Sequence, residues 1–353
     1  MPDVVLLLRA AIGDSVVTDQ EALDAMRSDK SGHRSDGAPI AIVNARSVAD
    51  VQAVMRIATE TATPIVTRGA GTGLAGGAIA SGGEIVLSTL AMNRILEISA
   101  DDALAVVEPG IINGDFNEAL AKHGMWFVPD PASRAISTVG GNIATNAGGL
   151  LCAKYGVTRD SVLGLKVVLA DGKLISVGRR TVKGVTGYDM TALMIGSEGT
   201  LGIIVEATVK LRQRNLGRVA TISAHFDSVE TAAAAATAIG AAGVQPAVME
   251  LIAESGMVAL ASYLELGAVR GSQLLVQTDG AGAQAEADAA LTIIRQFGGI
   301  GEIASDEEEG ERLFAIRRSF HSAVASLGHV LIEDVCVPRT RLAEMFAVIA
   351  DIE

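Results

Sequence analysis

A chain of 353 residues, 49% hydrophobic and 20% charged, is long enough for two or three domains with a sizeable core. Its formal net charge of −13 argues against a nucleic-acid ligand, because binding phosphate needs a basic surface. No run of about 18 uncharged apolar residues offers a membrane span. Cys152 and Cys336 form neither a disulfide framework nor a metal-binding spacing, so a reduced cytoplasmic compartment is the expectation.

Val4 to Leu8 is too short for a signal segment, is broken at once by Arg9, and reads as the start of a short helix. Ser47-Val-Ala-Asp50 is a capping-box variant that opens a helix with Val51, Val54, Met55 and Ala58 on one face. That helix ends before Pro64, and a short strand rich in Ile, Val and Thr runs to Arg68. Strands are expected at 84–89, 94–99 and 103–108, then a helix over 113–123 stopped by Gly124. Asp171-Gly172 is a hairpin turn between strands at 163–170 and 173–177. A short helix at 189–195 and a long alternating strand at 203–211 complete a first domain, 1–212. The polar connector 213–217 opens a second domain, 213–353. There, strands at 219–226, 247–252, 273–278 and 330–337 alternate with helices at 228–242, 283–297 and 307–327, and a last helix spans 341–352. That order predicts a ferredoxin-like α+β unit with its helices on one sheet face.

The stretch Arg68-Gly-Ala-Gly-Thr-Gly-Leu-Ala-Gly-Gly77 leaves a backbone almost bare of side chains, so that successive N–H groups can turn inward on an anion such as a pyrophosphate. Gly71-x-Gly73-x-x-Gly76 fits the Rossmann fingerprint, but that fingerprint needs a helix next. The chain continues Gly77-Ala-Ile-Ala-Ser-Gly-Gly83, too rich in glycine to start a helix, and then enters a strand. A nicotinamide Rossmann domain is therefore excluded, as is a P-loop, since no Lys-Ser or Lys-Thr closes the run. A glycine-rich surface turn stands as the plain alternative. Two further segments weigh against it. Ser137-Thr-Val-Gly-Gly-Asn-Ile-Ala-Thr-Asn-Ala-Gly-Gly149 follows Pro129-Asp-Pro131, and Gly196-Ser-Glu-Gly-Thr-Leu-Gly202 leads into Ile203-Ile204. Three such segments, each beside a strand, suggest one long ligand held at several points.

With these segments the chain resembles the vanillyl-alcohol oxidase / p-cresol methylhydroxylase flavoproteins, and within them the FAD-linked glycolate oxidase and D-2-hydroxyacid dehydrogenase group. The resemblance runs from Asp36-Gly-Ala-Pro39 to Glu333-Asp-Val-Cys-Val-Pro338, with Lys154-Tyr-Gly-Val-Thr-Arg-Asp160 among its more specific stretches. It implies an α+β fold: a two-subdomain, PCMH-type FAD-binding domain, then a ferredoxin-like cap over the flavin. It also implies cofactor roles for Arg68, Gly69, Ala70, Gly71, Thr72, Gly73, Leu74 and Gly77 at the pyrophosphate. Pro109 and Gly110 fall near the adenosine half. Pro131, Ser137, Thr138, Gly141, Asn142, Ala144 and Asn146 fall along the ribityl chain and ring, with Glu198, Gly199, Gly202, Ile203 and Ile204 completing the set. Asn and Thr suit flavin edges and ribityl hydroxyls as hydrogen-bonding groups. Some relatives tether FAD through a His in the first loop; this loop has none, so non-covalent FAD is expected.

Arg317 matches an Arg that contacts the substrate carboxylate in such dehydrogenases, and its planar fork suits that task. A solvated helix charge paired with Glu309 or Glu311 is the competing reading. Glu198 would tune the flavin or stabilise its loop, while Lys183, Tyr188 and Asp189 read as structural. His321, one turn beyond Arg317, reads more simply as a satisfied side chain than as a site residue, and Glu333-Asp334 as a strand end near the substrate. The implied reaction oxidises a small D-2-hydroxyacid, glycolate or D-lactate, by hydride transfer to flavin N5. Electrons would pass to a separate acceptor: an Fe–S subunit, a quinone or another carrier, with any membrane association peripheral and through that partner. In relatives, a His-rich segment carrying the base and a divalent metal's ligands follows the Val-Pro at 337–338. This sequence ends at Glu353 before any such segment, so either a fragment or a catalytically incomplete copy acting within a larger complex is expected, no base or metal ligand is named, and a metal would belong to a full-length form. An FAD-binding accessory subunit and a sugar-nucleotide reductase are the alternatives.

Overall fold

The computed structural model describes residues 3–214, 217–328 and 330–352; Asn215 and Leu216 of the polar connector and His329 lie outside them. Two compact units form, one from the residues up to Gly149 together with Gly156–Arg214, the other from Leu150–Tyr155 together with residues 217 onward.

The first unit opens with α1 (Val4–Ile12), β1 (Val16–Val17), α2 (Gln20–Ala25), β2 (Ala41–Asn44), α3 (Val48–Thr61), β3 (Ile65–Arg68) and β4 (Ile85–Ser88). These strands make a sheet in the order β1-β2-β4-β3, with β2, β4 and β3 parallel. Alternation divides its faces: Ala41 and Val43 face α1 and α3, while Ile42 packs with Leu23 and Ala80 on the other side. Ser47 caps α3 by accepting from the Asp50 N–H; Asp50 reaches back not to the Ser47 N–H, as a full capping box would have it, but to that of Arg46, one residue earlier.

The chain then supplies β5 (Ile95–Ser99), β6 (Leu104–Val107), α4 (Asn113–Ala121), β7 (Met125–Trp126), α5 (Val139–Thr145) and α6 (Cys152–Tyr155), the last belonging to the second unit. β8 (Val162–Val168), β9 (Leu174–Gly178), α7 (Met190–Met194), β10 (Ile203–Lys210) and β11 (Arg212–Gln213) close the first unit. A second, antiparallel sheet runs β5-β6-β10-β8-β9, and β11 pairs with β7. One face of this sheet closes on α4 and α5 through Phe116, Leu120, Val139 and Ile143. Its other face offers Val168, Ile203 and Val205 to the core around α3, so α3 is buried between two sheets. The arrangement is α+β in class, with two sheets packed about one helix.

The second unit contains β12 (Val219–Phe226), α8 (Val229–Ala241), β13 (Val248–Ile252), α9 (Glu254–Leu264), β14 (Ser272–Asp279), α10 (Ala283–Gln296), β15 (Ile300–Ile303), α11 (Glu307–Arg318), α12 (Phe320–Ala325) and α13 (Leu342–Ile352). Its sheet is antiparallel in the order β13-β14-β12-β15, two split βαβ units interleaved in the ferredoxin-like manner. Ile222, Ala224, Leu274 and Val276 face α8 and α10. The expectation that all helices share one face is corrected: Phe314 of α11 packs on Val248 and Leu275, on the opposite side. Helix 307–327 is in fact two helices that separate at Ser319, because Phe320 and Ala323 turn onto α9. The strand expected at 330–337 does not form; these residues pair with no described strand, and β-propensity without a partner edge makes no ladder. α9 and β15 are additions. α9 lacks a capping side chain at Ala253, and β15 is a short run interrupted by Gly301.

Candidate functional site

β3 delivers Arg68 to the glycine loop, and the chain makes no regular element until β4. The Arg68 side chain folds beneath its own loop, with Nη1 donating to the Ala78 carbonyl at 2.5 Å and Nη2 to the Ser28 carbonyl at 3.0 Å. Gly71 lies against that guanidinium at φ +67°, where a side chain would be both strained and obstructed. Burial pulls the Arg68 pKa below its ordinary value, and the charge of Asp29 opposes that shift. Asp29 accepts from the Ser31 N–H through Oδ1 at 2.8 Å. Its other oxygen is buried without a partner and is the nearest atom to a side chain imagined on Gly73. None of the N–H groups from Gly69 to Ala78 donates to another described residue, so the loop presents a continuous row of uncommitted donors.

The other two glycine-rich segments come to this loop. Thr138 caps α5 by accepting from the Gly141 N–H at 3.1 Å, and the same hydroxyl occupies the space a Cβ on Gly69 would need. Glu198, at φ +50°, lies over Gly77 in the same sense and donates its N–H to the Ala144 carbonyl at 3.0 Å. Gly196 donates to the Ile143 carbonyl at 3.1 Å, and Gly199 abuts Thr67 of β3. Pro109-Gly110 joins from behind, for Gly140 packs directly on Pro109 and bonds its carbonyl at 2.8 Å. Beneath α5, Asn113 donates to the Pro129 carbonyl at 3.0 Å and to Asn142 Oδ1 at 3.1 Å, and Asn142 donates to Ser137 Oγ at 3.1 Å. Ser137 and the Asn142 side chain are thus buried in an internal network. Ile203 and Ile204 stand at the start of β10 on opposite faces, and Gly202 precedes them; Pro131 is buried and Asn146 takes a left-handed conformation that ends α5.

The profile described as "FAD binding domain" matches residues 39–178, and that described as "FAD linked oxidases, C-terminal domain" matches 217–352. The glycolate oxidase subunit GlcD of Bacillus subtilis is 39% identical over 320 residues, 89% of this chain and 68% of that protein. The chain belongs to the FAD-linked oxidases.

Other relatives of this FAD-linked oxidase include a D-2-hydroxyglutarate dehydrogenase of Stutzerimonas stutzeri, 40% identical over 61% of this chain and 46% of that one. A D-lactate dehydrogenase of Archaeoglobus fulgidus is 32% identical over 86% of this chain and 68% of that one. The chain therefore spans between about half and two thirds of the length of these relatives. The fold is shared with an alkyldihydroxyacetonephosphate synthase, at TM-score 0.80 and 21% identity, covering 100% of this chain and 75% of that one. It is shared also with p-cresol methylhydroxylase, at TM-score 0.76 and 20% identity, covering 96% and 70%.

FAD is the cofactor, and the residues present fit it: a glycine cradle whose missing side chains leave the backbone open, a row of uncommitted N–H donors and a buried orphan oxygen on Asp29. Asp29 and Asn113 carry no signature in the sequence, since Gly73, beside Asp29, and Pro129 and Asn142, bonded by Asn113, lie well beyond one turn of chain.

Arg317 belongs to the second unit. It pairs with Glu250 of β13, not with Glu309 or Glu311; it is Arg318 that pairs with Glu311. His321 is exposed on α12, beyond the break at Ser319, so the spacing of a continuous helix does not apply to it. Glu333 and Asp334 are exposed and outside any strand. Among the described residues no three of His, Cys, Asp and Glu gather as a metal site, and no helix is long and apolar enough to cross a membrane.

Proposed function

We propose that this chain carries FAD non-covalently and oxidises a small D-2-hydroxyacid, glycolate or D-lactate, to the 2-oxoacid, with electrons passing to a separate acceptor. When bound, FAD supplies the hydride acceptor at flavin N5. The backbone N–H groups from Gly69 to Leu74 would hold the pyrophosphate, with Arg68 bracing the loop from below rather than reaching into it. Thr138, Gly141 and Ala144 would border the ribityl chain and ring, and Glu198, Gly199, Gly202, Ile203 and Ile204 would close the far side. The observation that supports a hydroxyacid is Arg317: its side chain is 26% exposed beside Glu250 of β13 and retains N–H groups for a carboxylate.

The purified protein is expected to show a flavin absorbance that survives gel filtration and is lost on acid precipitation, the signature of non-covalent FAD. D-lactate or glycolate is expected to reduce an artificial dye acceptor, whereas L-lactate is not. Protein purified without flavin, and unable to take it up, would sink the cofactor assignment; a bound flavin that no hydroxyacid reduces would sink the substrate class alone.

A further inference from the structure

Arg317 is usually the sort of residue a sequence leaves as a helix-surface charge, but its surroundings are built. Gly310, Phe314 and Arg317 lie at i, i+4 and i+7 on α11, which is one stripe of a helix. Gly310 brings that stripe against Thr221, and Phe314 fills the space over Leu275, so the next turn carries Arg317 to β13. There Met249 and Leu251 face the α8–α10 core, and the alternation of the strand turns Glu250 to the α11 side.

The contact has a particular form. Arg317 Nε donates to Glu250 Oε2 at 2.9 Å and Nη2 donates to the same oxygen at 2.6 Å. A side-on grip of this kind engages two of the five guanidinium N–H groups. The Nη1 group makes no hydrogen bond to another described residue, so the end-on edge, Nη1 with the outer hydrogen of Nη2, is open. Phe320 supports the plane from one face, with the guanidinium carbon 5.4 Å from the ring centroid. The two side chains that hold Arg317 come from different elements, which fixes both the direction of the fork and the tilt of its plane.

We infer that Glu250 and Phe320 are positioning residues that aim the end-on fork of Arg317 at a ligand carboxylate. This rests on the proposed reading of Arg317 as the carboxylate contact. Because Glu250 already offsets the positive charge, the site selects by the two parallel N–H···O bonds a planar carboxylate can accept, more than by net charge. Without Glu250 the fork loses its aim, and the carboxylate loses more than the amide does, because only the carboxylate accepts both parallel N–H···O bonds.

The test uses the purified flavoprotein, with KM for D-lactate in the dye assay and the rise in unfolding temperature on adding D-lactate or its neutral isostere, D-lactamide. Wild-type protein is expected to prefer the carboxylate over the amide by about tenfold or more, in line with hydrogen bonds to charged groups. Glu250→Ala is expected to raise the D-lactate KM about tenfold and to leave the weak response to lactamide unchanged, collapsing the ratio. Glu250→Gln keeps an oxygen for both N–H groups and opens no cavity; it is expected to raise KM about threefold, as is Phe320→Leu. A Glu250→Ala or Glu250→Gln protein that folds and keeps the wild-type lactate-to-lactamide ratio would overturn the positioning role while leaving Arg317 as the carboxylate contact. Unchanged D-lactate affinity in Arg317→Lys would remove the contact itself, and with it this inference.

Discussion

Gly71 carries two constraints at one position, a left-handed backbone and a guanidinium where a side chain would start. Gly71→Ala meets both. The strain alone is about 1–2 kcal/mol, and relieving it would displace Arg68 from the Ala78 and Ser28 carbonyls. FAD affinity is expected to fall about tenfold or more, as measured by flavin retained per protein after dialysis, with the second unit's unfolding unaffected. Glu108 sets a second expectation. Burial pushes its pKa up, but the side-chain and backbone hydrogen bonds from Arg94 more than offset this and leave it below the ordinary carboxylate value. A carboxylate with a depressed folded pKa contributes stability above its unfolded pKa, and that stability is lost as pH falls through the folded value. Arg94→Met removes the guanidinium bonds and charge but keeps the residue-94 N–H on Glu108, so burial is less fully offset and acid unfolding followed by circular dichroism should begin at a higher pH than in the wild type.

At the scale of elements, α5 and α11 are positioned by contacts that their own sequences do not announce. α5 sits on the Asn113–Asn142–Ser137 network, all three side chains buried. Asn113→Ala would leave the Pro129 carbonyl and Asn142 Oδ1 without their donor, at a cost of about 2–3 kcal/mol. Thermal unfolding should fall accordingly, and FAD retention with it, since α5 brings Thr138 to Gly69. The glycine-rich segments were legible because an open backbone requires a residue type, and that type is visible. The α3 cap, the hairpin at Asp171-Gly172 and the first three strands of the second unit were legible for a related reason, each depending on local chemistry or on period, whereas the fourth strand, expected at 330–337, forms instead at Ile300–Ile303. The break between α11 and α12 was not, because nothing at Ser319 forbids a helix; Phe320 turns instead toward the pocket over Gly256. Glu250 was half legible. Alternation sends it to the face opposite Met249 and Leu251, yet which helix crosses that face is not a local property.

For the molecule as a whole, ligand binding and stability are linked. A cofactor that binds only the folded first unit stabilises it by about 2.7 kcal/mol at one hundred times its dissociation constant. Hydrogen exchange with and without FAD should therefore show protection at 65–78, 137–146 and 196–204 together, since these segments meet through Thr138, Ala144 and Glu198; protection in one segment alone would contradict a single shared ligand. What the sequence by itself determined is the kind of surface each segment can make: bare backbone from 69 to 77, a capped helix start at Ser47, a glycine turn before Ile203. Such properties follow from side chains that are absent or that act on their nearest neighbours. What only the tertiary structure decided is which surfaces share a space and which charges pair: Thr138 on Gly69, Glu198 on Gly77, Asp29 beside Gly73 and Glu250 on Arg317. The physical reason is that these contacts join residues tens of positions apart, and only the packing of sheets and helices around a common core brings them within bonding distance.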